Sequence, residues 1–252
     1  MSYIRLVHRV GVIADAHANL PATIAALDEL RTRGCETVVH VGDAIAIGPH
    51  PREVLDLLVG QEVTCVLGNH DCWFAFGLPA QWAASMSTEE LEHQHWTHAQ
   101  LSDADRKTVS RWPYEVTMQV GAKRVLFLHY ARRPDGEFDL VRNPSAADFG
   151  RLYSSAPADI VIFGHDHRPF DLVYEGRRFL SPGSLGCHDR PEARALTLTA
   201  APKGEVSVEK VRARYEDAGL MADFDRRRVP ARDFIRSTFI TRTRSRPTAR
   251  RR

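Results

Sequence analysis

Residues 9–43, RVGVIADAHANLPATIAALDELRTRGCETVVHVGD, decide the fold. The run RVGVIAD is short and apolar, as a buried strand is. NLPATIAALDELRTRG then predicts a helix, with Asn19 or Leu20 near its cap, Pro21 in its first turn and Gly34 as its stop. ETVVHVGD is the next strand, and PREVLDLL and EVTCVLGNHD continue the alternation as helix and strand. Strand, helix, strand, helix, strand implies parallel pairing with right-handed crossovers. Functional residues of such sheets collect just beyond the carboxyl ends of the strands. Those ends carry Asp15 and His17, then Asp43, then Asn69, His70 and Asp71.

Further along, residues 72–113 turn rich in Trp, Gln, His and Glu, and stretches such as STEELEHQHWTHAQL predict a helical insertion near the mouth of a site. His93, His95 and His98 on that helix fit surface or packing positions better than metal ligation, although His95 or Trp96 could reach a substrate. The second half reads mainly as strands: YEVTMQV, KRVLFLHY, DIVIFGHDH, RRFLSPGS, ARALTLTA and EVSVEKV, with turns at Gly121-Ala122 and Pro202-Lys203-Gly204. Two packed sheets with helices outside are expected, in one domain over residues 1–240 with 72–113 as its insertion.

Bulk properties narrow the function classes. With 43% hydrophobic and 26% charged residues in 252, the chain has the composition of a packed globular protein rather than a disordered or fibrous one. No apolar window is long enough for a membrane span, and Arg5, His8 and Arg9 interrupt any leader-like core, so the cytoplasm is the expected compartment. Cys35, Cys65, Cys72 and Cys187 form no C-x-x-C pair and are expected as free thiols. Six arginines and no acid in TRTRSRPTARRR, residues 241–252, leave the body mildly acidic despite a net charge of +2. This basic tail is expected to be solvated, with nucleic-acid binding a minor expectation.

DIVIFGHDHRPF, residues 159–170, raises the chemical question: an apolar strand ends in His165, Asp166 and His167. After Gly164 the chain can bend so that both imidazoles face one point, which suits a metal better than a core. Alone, the motif also fits a solvated turn. The partners decide, because Asp15, His17, Asp43, Asn69, His129, His165 and His167 stand at the tips of the major strands. Carboxylate, imidazole and amide-oxygen donors suit Mn, Fe, Zn, Ni or Co better than copper or an iron–sulfur cluster. Seven such ligands can hold two ions if one carboxylate bridges.

DAHAN (15–19), GDAIAIGP (42–49), GNHD (68–71), His129 after VLFL, GHDH (164–167) and SPGS (181–184) resemble, in order, the motifs of the calcineurin-like metallophosphoesterases, of the bacterial small-phosphodiesterase type. The resemblance runs from about residue 9 to about residue 200. It implies a four-layer α/β/β/α sandwich of two mixed sheets with a dinuclear site between them. Carried over, it assigns Asp15, His17 and His167 to one divalent ion and Asn69, His129 and His165 to the other, with Asp43 as bridge. Mn is favoured over Fe, Zn, Ni, Co or Mg. The implied reaction is metal-dependent hydrolysis of a small phosphate ester by a hydroxide bridging the two ions, with His70 protonating the leaving oxygen.

The departures bear on substrate. Protein phosphatases of this family carry an Asp-Arg pair where this chain has Ala46 and Ile47, so His70 needs another partner, Asp71 or a group from the insertion. Without that arginine the site is better suited to small phosphodiesters or cyclic nucleotides than to phosphoprotein. A phosphomonoesterase, a nuclease drawing on the arginine tail and a non-catalytic interaction module are the alternatives. The last commonly lose ligands, and this chain keeps all seven positions and His70. Ala18 replaces the usual glycine of the first motif, a change expected to leave ligation intact.

Overall fold

The structure is a computed structural model that describes residues 6–138 and 140–240. Its first part alternates as the pattern requires: β1 (Leu6–Val7), β2 (Arg9–Ile13), α1 (Leu20–Thr32), β3 (Thr37–His40), α2 (Pro51–Gly60) and β4 (Thr64–Cys65). Asn19 caps α1 by accepting the Ala22 N–H at 3.1 Å, and Pro21 sits where its missing donor costs nothing. Four helices follow, α3 (Asn69–Phe76), α4 (Ala80–Ser85), α5 (Thr88–Ala99) and α6 (Asp103–Val109). The chain continues through β5 (Glu115–Val120), β6 (Lys123–Leu128), α7 (Ala146–Leu152), β7 (Ile160–Ile162), β8 (Pro169–Tyr174), β9 (Arg177–Pro182), β10 (Glu192–Ala200) and β11 (Val206–Arg214). It closes with α8 (Ala218–Arg226), α9 (Arg232–Ile235) and a π-helical turn, Arg236–Ile240.

Two mixed sheets result, a five-stranded one in the order β11-β10-β2-β3-β4 and a six-stranded one in the order β1-β5-β6-β7-β9-β8. β2, β3 and β4 pair in parallel, as do β6, β7 and β9, while hairpins at the two expected turns make β5–β6 and β10–β11 antiparallel. Side-chain alternation divides the core between layers. Val10, Val12 and Val39 pack against Val125, Phe127, Ile160 and Ile162 between the sheets. Ile13, on the opposite face, packs with Leu27, Leu30, Leu55 and Leu58 of α1 and α2. Beyond the other sheet, Phe149 of α7 packs on Val161, Phe163 and Phe179. Helix, sheet, sheet and helix therefore stack in four layers.

The sequence pattern does not announce β8. It begins on a proline and alternates between exposed and half-buried, which an edge strand tolerates because its outer N–H groups have no ladder to serve. The strand expected through GNHD is also shorter: β4 ends at Cys65, and Gly68 caps α3 instead. Among the described residues no helix is long and apolar enough to cross a membrane. The arginine tail, 241–252, lies outside the described residues.

His40, at the end of β3, is fully buried, and neither ring nitrogen has a hydrogen-bond partner. Burial lowers its pKa from 6.5 to about 3, with the Asp43 carboxylate opposing the shift. The unfolded chain therefore takes up this proton first as pH falls, and stability present above about 6.5 is lost on the way down to 3. Replacement by His40→Leu should flatten the acid limb of a urea-unfolding stability profile by roughly 3–5 kcal/mol between those limits. Parallel profiles for the two proteins would contradict a neutral, buried imidazole.

Candidate metal centre

Every chemistry-bearing side chain leaves the end of a strand or the first turn beyond it. Asp15 and His17 follow β2, Asp43 follows β3, and Asn69 and His70 open α3 after β4; His129 follows β6, and His165 and His167 follow β7. Both sheets thus contribute to one place. Asp15, His17, Asp43, His165 and His167 have φ of 51°, 45°, 59°, 72° and 64°. That left-handed backbone costs an L residue about 1–2 kcal/mol, and it turns the strand tips sharply enough to aim these groups inward. Hydrogen bonds across the tips hold the turns: His165 N–H donates to Asp15 Oδ1 at 3.0 Å, and His17 N–H to the Asp43 carbonyl at 3.0 Å.

The seven expected ligands converge. His17 and His167 bring their Nε2 atoms to 2.9 Å, and His129 Nε2 lies 3.1 Å from His165 Nδ1 and 3.3 Å from Asn69 Oδ1. Asp43 Oδ2 stands between the two groups, 3.8 Å from His17 Nε2 and 3.3 Å from His129 Nε2. Asp15 Oδ1 is 4.0 Å from His167 Nε2, while its buried Oδ2 has no partner. His129 Nδ1 donates to the Val41 carbonyl at 2.9 Å and so leaves Nε2 facing the centre. Ring nitrogens that face one another and an unpartnered buried carboxylate oxygen bring more electron-pair donors to one place than there are hydrogens to share among them. This set fits divalent cations.

Electrostatics favours the same conclusion. Burial lowers the pKa of His17 well below 6.5, that of His165 to about 3 and that of His167 to about 4, so these rings are neutral, the form that binds a metal. Burial pushes Asp15 up to about 7. Burial also acts to raise Asp43, but the charge on His129 and then His70 outweighs it and holds Asp43 well below the usual carboxylate range. His129 in turn rises to about 9, its burial overcome by Asp43. A proton on His129 thus offsets part of the Asp43 charge.

The loops leave no room for error. Gly42 has φ +90°, and a Cβ there would lie 2.5 Å from His129 Nδ1; a Cβ on Gly68 would lie 2.1 Å from Asp43 Oδ1. Asp71 is not the partner of His70. Its carboxylate accepts the backbone N–H groups of Asp43, Ala44 and Gly68 at 2.8–3.0 Å and so ties the loop after β3 to the start of α3. Ser184 does similar work, its hydroxyl donating to the Asp15 carbonyl at 2.9 Å.

His70 donates its backbone N–H to Asp43 Oδ1 at 2.9 Å, and its ring stands edge-on to His17 at 5.5 Å. Its Nδ1 faces the side-chain amide of Gln94 at 3.5 Å, so the partner comes from α5 of the expected insertion. Gln94 is a residue that sequence reasoning missed, and a lone glutamine carries no motif signal. The neighbouring histidines pack: buried His93 accepts the Ile47 N–H at 3.0 Å, Trp96 stacks on His93, and His95 is exposed on the far side of the helix. Cys187 is a second addition, its sulfur within 4.8 Å of the His17 and His167 nitrogens, with burial raising its thiol pKa to about 12.

Asp71→Ala leaves three buried N–H groups without acceptors. At about 1–3 kcal/mol each, partly relieved by loss of the repulsion from Asp43, the variant should lose about 3 kcal/mol of unfolding free energy in urea titrations. Unchanged stability would show that the carboxylate does not hold these loops.

Comparison with known proteins agrees with this fold. The profile of the calcineurin-like phosphoesterase superfamily domain matches residues 9–201. The uncharacterized protein MJ0912 of Methanocaldococcus jannaschii is 24% identical over 244 residues, covering 88% of this chain and 93% of the relative. Among solved structures, the hypothetical protein PH1004 of Pyrococcus horikoshii OT3 superposes with a TM-score of 0.76 at 18% identity over 94% of this chain and 98% of its own. A metallophosphoesterase from Sphaerobacter thermophilus does so with a TM-score of 0.70 at 20% identity over 92% and 98%. A family match over most of the chain, on the strands that carry the converging donors, makes this protein a member of the calcineurin-like phosphoesterase superfamily.

Proposed function

We propose that this chain is a dinuclear metal-dependent phosphodiesterase acting on small diesters or cyclic nucleotides. Asp15, His17 and His167 would hold one ion, Asn69, His129 and His165 the other, and Asp43 would bridge. The observation that carries the reading is the Asp43 carboxylate, within 3.8 Å of an imidazole nitrogen of each group. When bound, two divalent ions supply Lewis acidity to activate water and offset charge on the phosphoryl oxygens. Mn is the favoured ion.

The protein's own contribution is orientation and proton handling. The Asp43–His70 backbone bond fixes where the His70 ring starts, and Gln94 limits its rotation, so that Nε2 is the nitrogen free to serve a leaving oxygen. Ala46 and Ile47 are buried and apolar, so no guanidinium reaches the phosphoryl group from that loop, which favours a monoanionic diester over a dianionic monoester. One domain to residue 240, with 72–113 as the insertion bearing Gln94, and a cytoplasmic setting complete the reading. All four cysteines are free, as a reducing compartment allows.

Elemental analysis should give two divalent ions per chain, and Mn²⁺ should activate cleavage of bis-p-nitrophenyl phosphate over p-nitrophenyl phosphate. Asp43→Asn should keep native circular dichroism yet lose a metal and at least about 10²-fold in turnover; an active variant holding both ions would overturn the assignment. His70→Ala should keep its metal and lose most for poor leaving groups, and equal losses across leaving groups would argue against proton donation.

As a ligand, His129 would have to give up the proton that Asp43 favours on it. Affinity of metal-stripped protein for Mn²⁺ should therefore climb as pH rises toward about 9, with net proton release in calorimetry at pH 7.5. An affinity independent of pH over that range would remove His129 from the ligand set.

A further inference from the structure

Beside the metal centre, with His70 in its lining, lies a cavity of about 390 Å³. Its walls are mainly aromatic and apolar, with Trp73, Trp82, Met86, Phe234 and Phe239 among them, and Glu90 contributes a carboxylate. Trp82 and Phe234 are 40% and 48% exposed, unusual for large apolar side chains gathered at one place. The Trp73 and Trp82 rings are tilted by 43° with centroids 6.0 Å apart, so they do not close the cavity by stacking on one another. His70 forms its inner end, edge-on to Trp73 at 4.7 Å and to His17 at 5.5 Å. No lysine or arginine lines it among the described residues.

We infer that this cavity binds the leaving group of the substrate and selects one bearing a flat, uncharged aromatic ring, such as a nucleoside or an aryl alcohol. The inference rests on the phosphoesterase reading above and deepens it. If His70 protonates the leaving oxygen, the atoms attached to that oxygen extend past His70, and the cavity is what they meet. Its size falls within the range of small-ligand pockets, about 300–1,000 Å³. The lack of a cation rules against a second phosphate there, because an anion would lose its hydration without a counter-charge. Aromatic faces with a few polar groups, here the Gln94 amide, Ser85 and the Glu90 carboxylate that accepts the Ser87 N–H, hold a planar ring by stacking and edge contacts.

Selection is also separable from chemistry by position. Trp82 and Met86 come from α4 and the turn after it, and Phe234, Ile235 and Phe239 from the segment at 232–240, whereas the converging donors stand on the tips of the two sheets. The family match ends at residue 201, so one wall of the cavity is built by chain beyond it.

The test uses the full-length, Mn²⁺-loaded protein and two methyl phosphodiesters, one of 2-phenylethanol and one of n-butanol, whose leaving oxygens are similarly basic. Binding of 2-phenylethanol is followed in parallel by quenching of tryptophan fluorescence. The expected result is a kcat/KM at least tenfold higher for the aromatic ester, quenching by the aromatic alcohol but not by butanol, and a fall of about tenfold in that selectivity for Trp82→Ala, with Trp82→Phe keeping most of it. Metal-dependent cleavage of both esters without preference overturns the cavity's role and leaves the phosphoesterase reading intact. Quenching with no cleavage of either ester supports the cavity and overturns that reading, and neither quenching nor cleavage overturns both.

Discussion

Two carboxylates and a set of imidazoles share a space from which water is almost excluded, and the rest of the architecture answers to that constraint. Asp15 is fully buried and Asp43 only 2% exposed. A buried carboxylate without a counter-charge costs several kcal/mol. His129 meets part of that cost by holding a proton against Asp43, which is why the two shift in opposite directions. Asp15 meets it by drifting toward neutrality. Both are partial solutions, and a divalent cation held by these residues would make both unnecessary, because it would favour charged carboxylates and a neutral imidazole.

The surrounding fold is arranged to keep these groups together despite that cost. The inter-sheet core of valines, isoleucines and Phe127 fixes the separation of the two sheets, and the donors divide between them: Asp15, His17, Asp43 and Asn69 from one, His129, His165 and His167 from the other. A change in that packing would move one group of donors relative to the other. Left-handed turns at the tips are paid for by hydrogen bonds that cross between loops, with Asp71 and Ser184 binding backbone rather than ligand. Gly42 and Gly68 stand where any side chain would displace His129 or Asp43.

Much of this was legible in the chain. Short apolar runs with a capped helix between them predicted β2, α1 and β3, and the polar residue types at the strand ends predicted the donors, because parallel strands must deliver their ends to one edge. What stayed hidden depended on contacts distant in sequence. β8 is an edge strand whose half-exposed alternation looks like loop, and GNHD reads as a strand end although Gly68 turns it into a helix start. Asp71 sits next to His70 in sequence but points back to the backbone of residues 43, 44 and 68, which only the folded loop reveals. Gln94 and the aromatic wall are composed of residues unremarkable one by one.

α5 links these hidden parts. His93 binds the Ile47 N–H of the loop that carries Asp43, and Gln94, the next residue, faces His70. One helix therefore sets both the loop that would bridge the metals and the ring that would serve the leaving group. In this chain the residues at 46 and 47 are apolar and buried, so the loop cannot itself supply a charged partner to His70. A neutral amide orients the ring without adding a further negative charge to a centre that already holds Asp15, Asp43 and Asp71. With three buried carboxylates so near, a fourth beside His70 would strengthen its hold on a proton and compete with the cations for the imidazole. The amide avoids that competition, and the one carboxylate among the described residues lining the cavity beyond His70, Glu90, is engaged in accepting the Ser87 N–H at the start of α5.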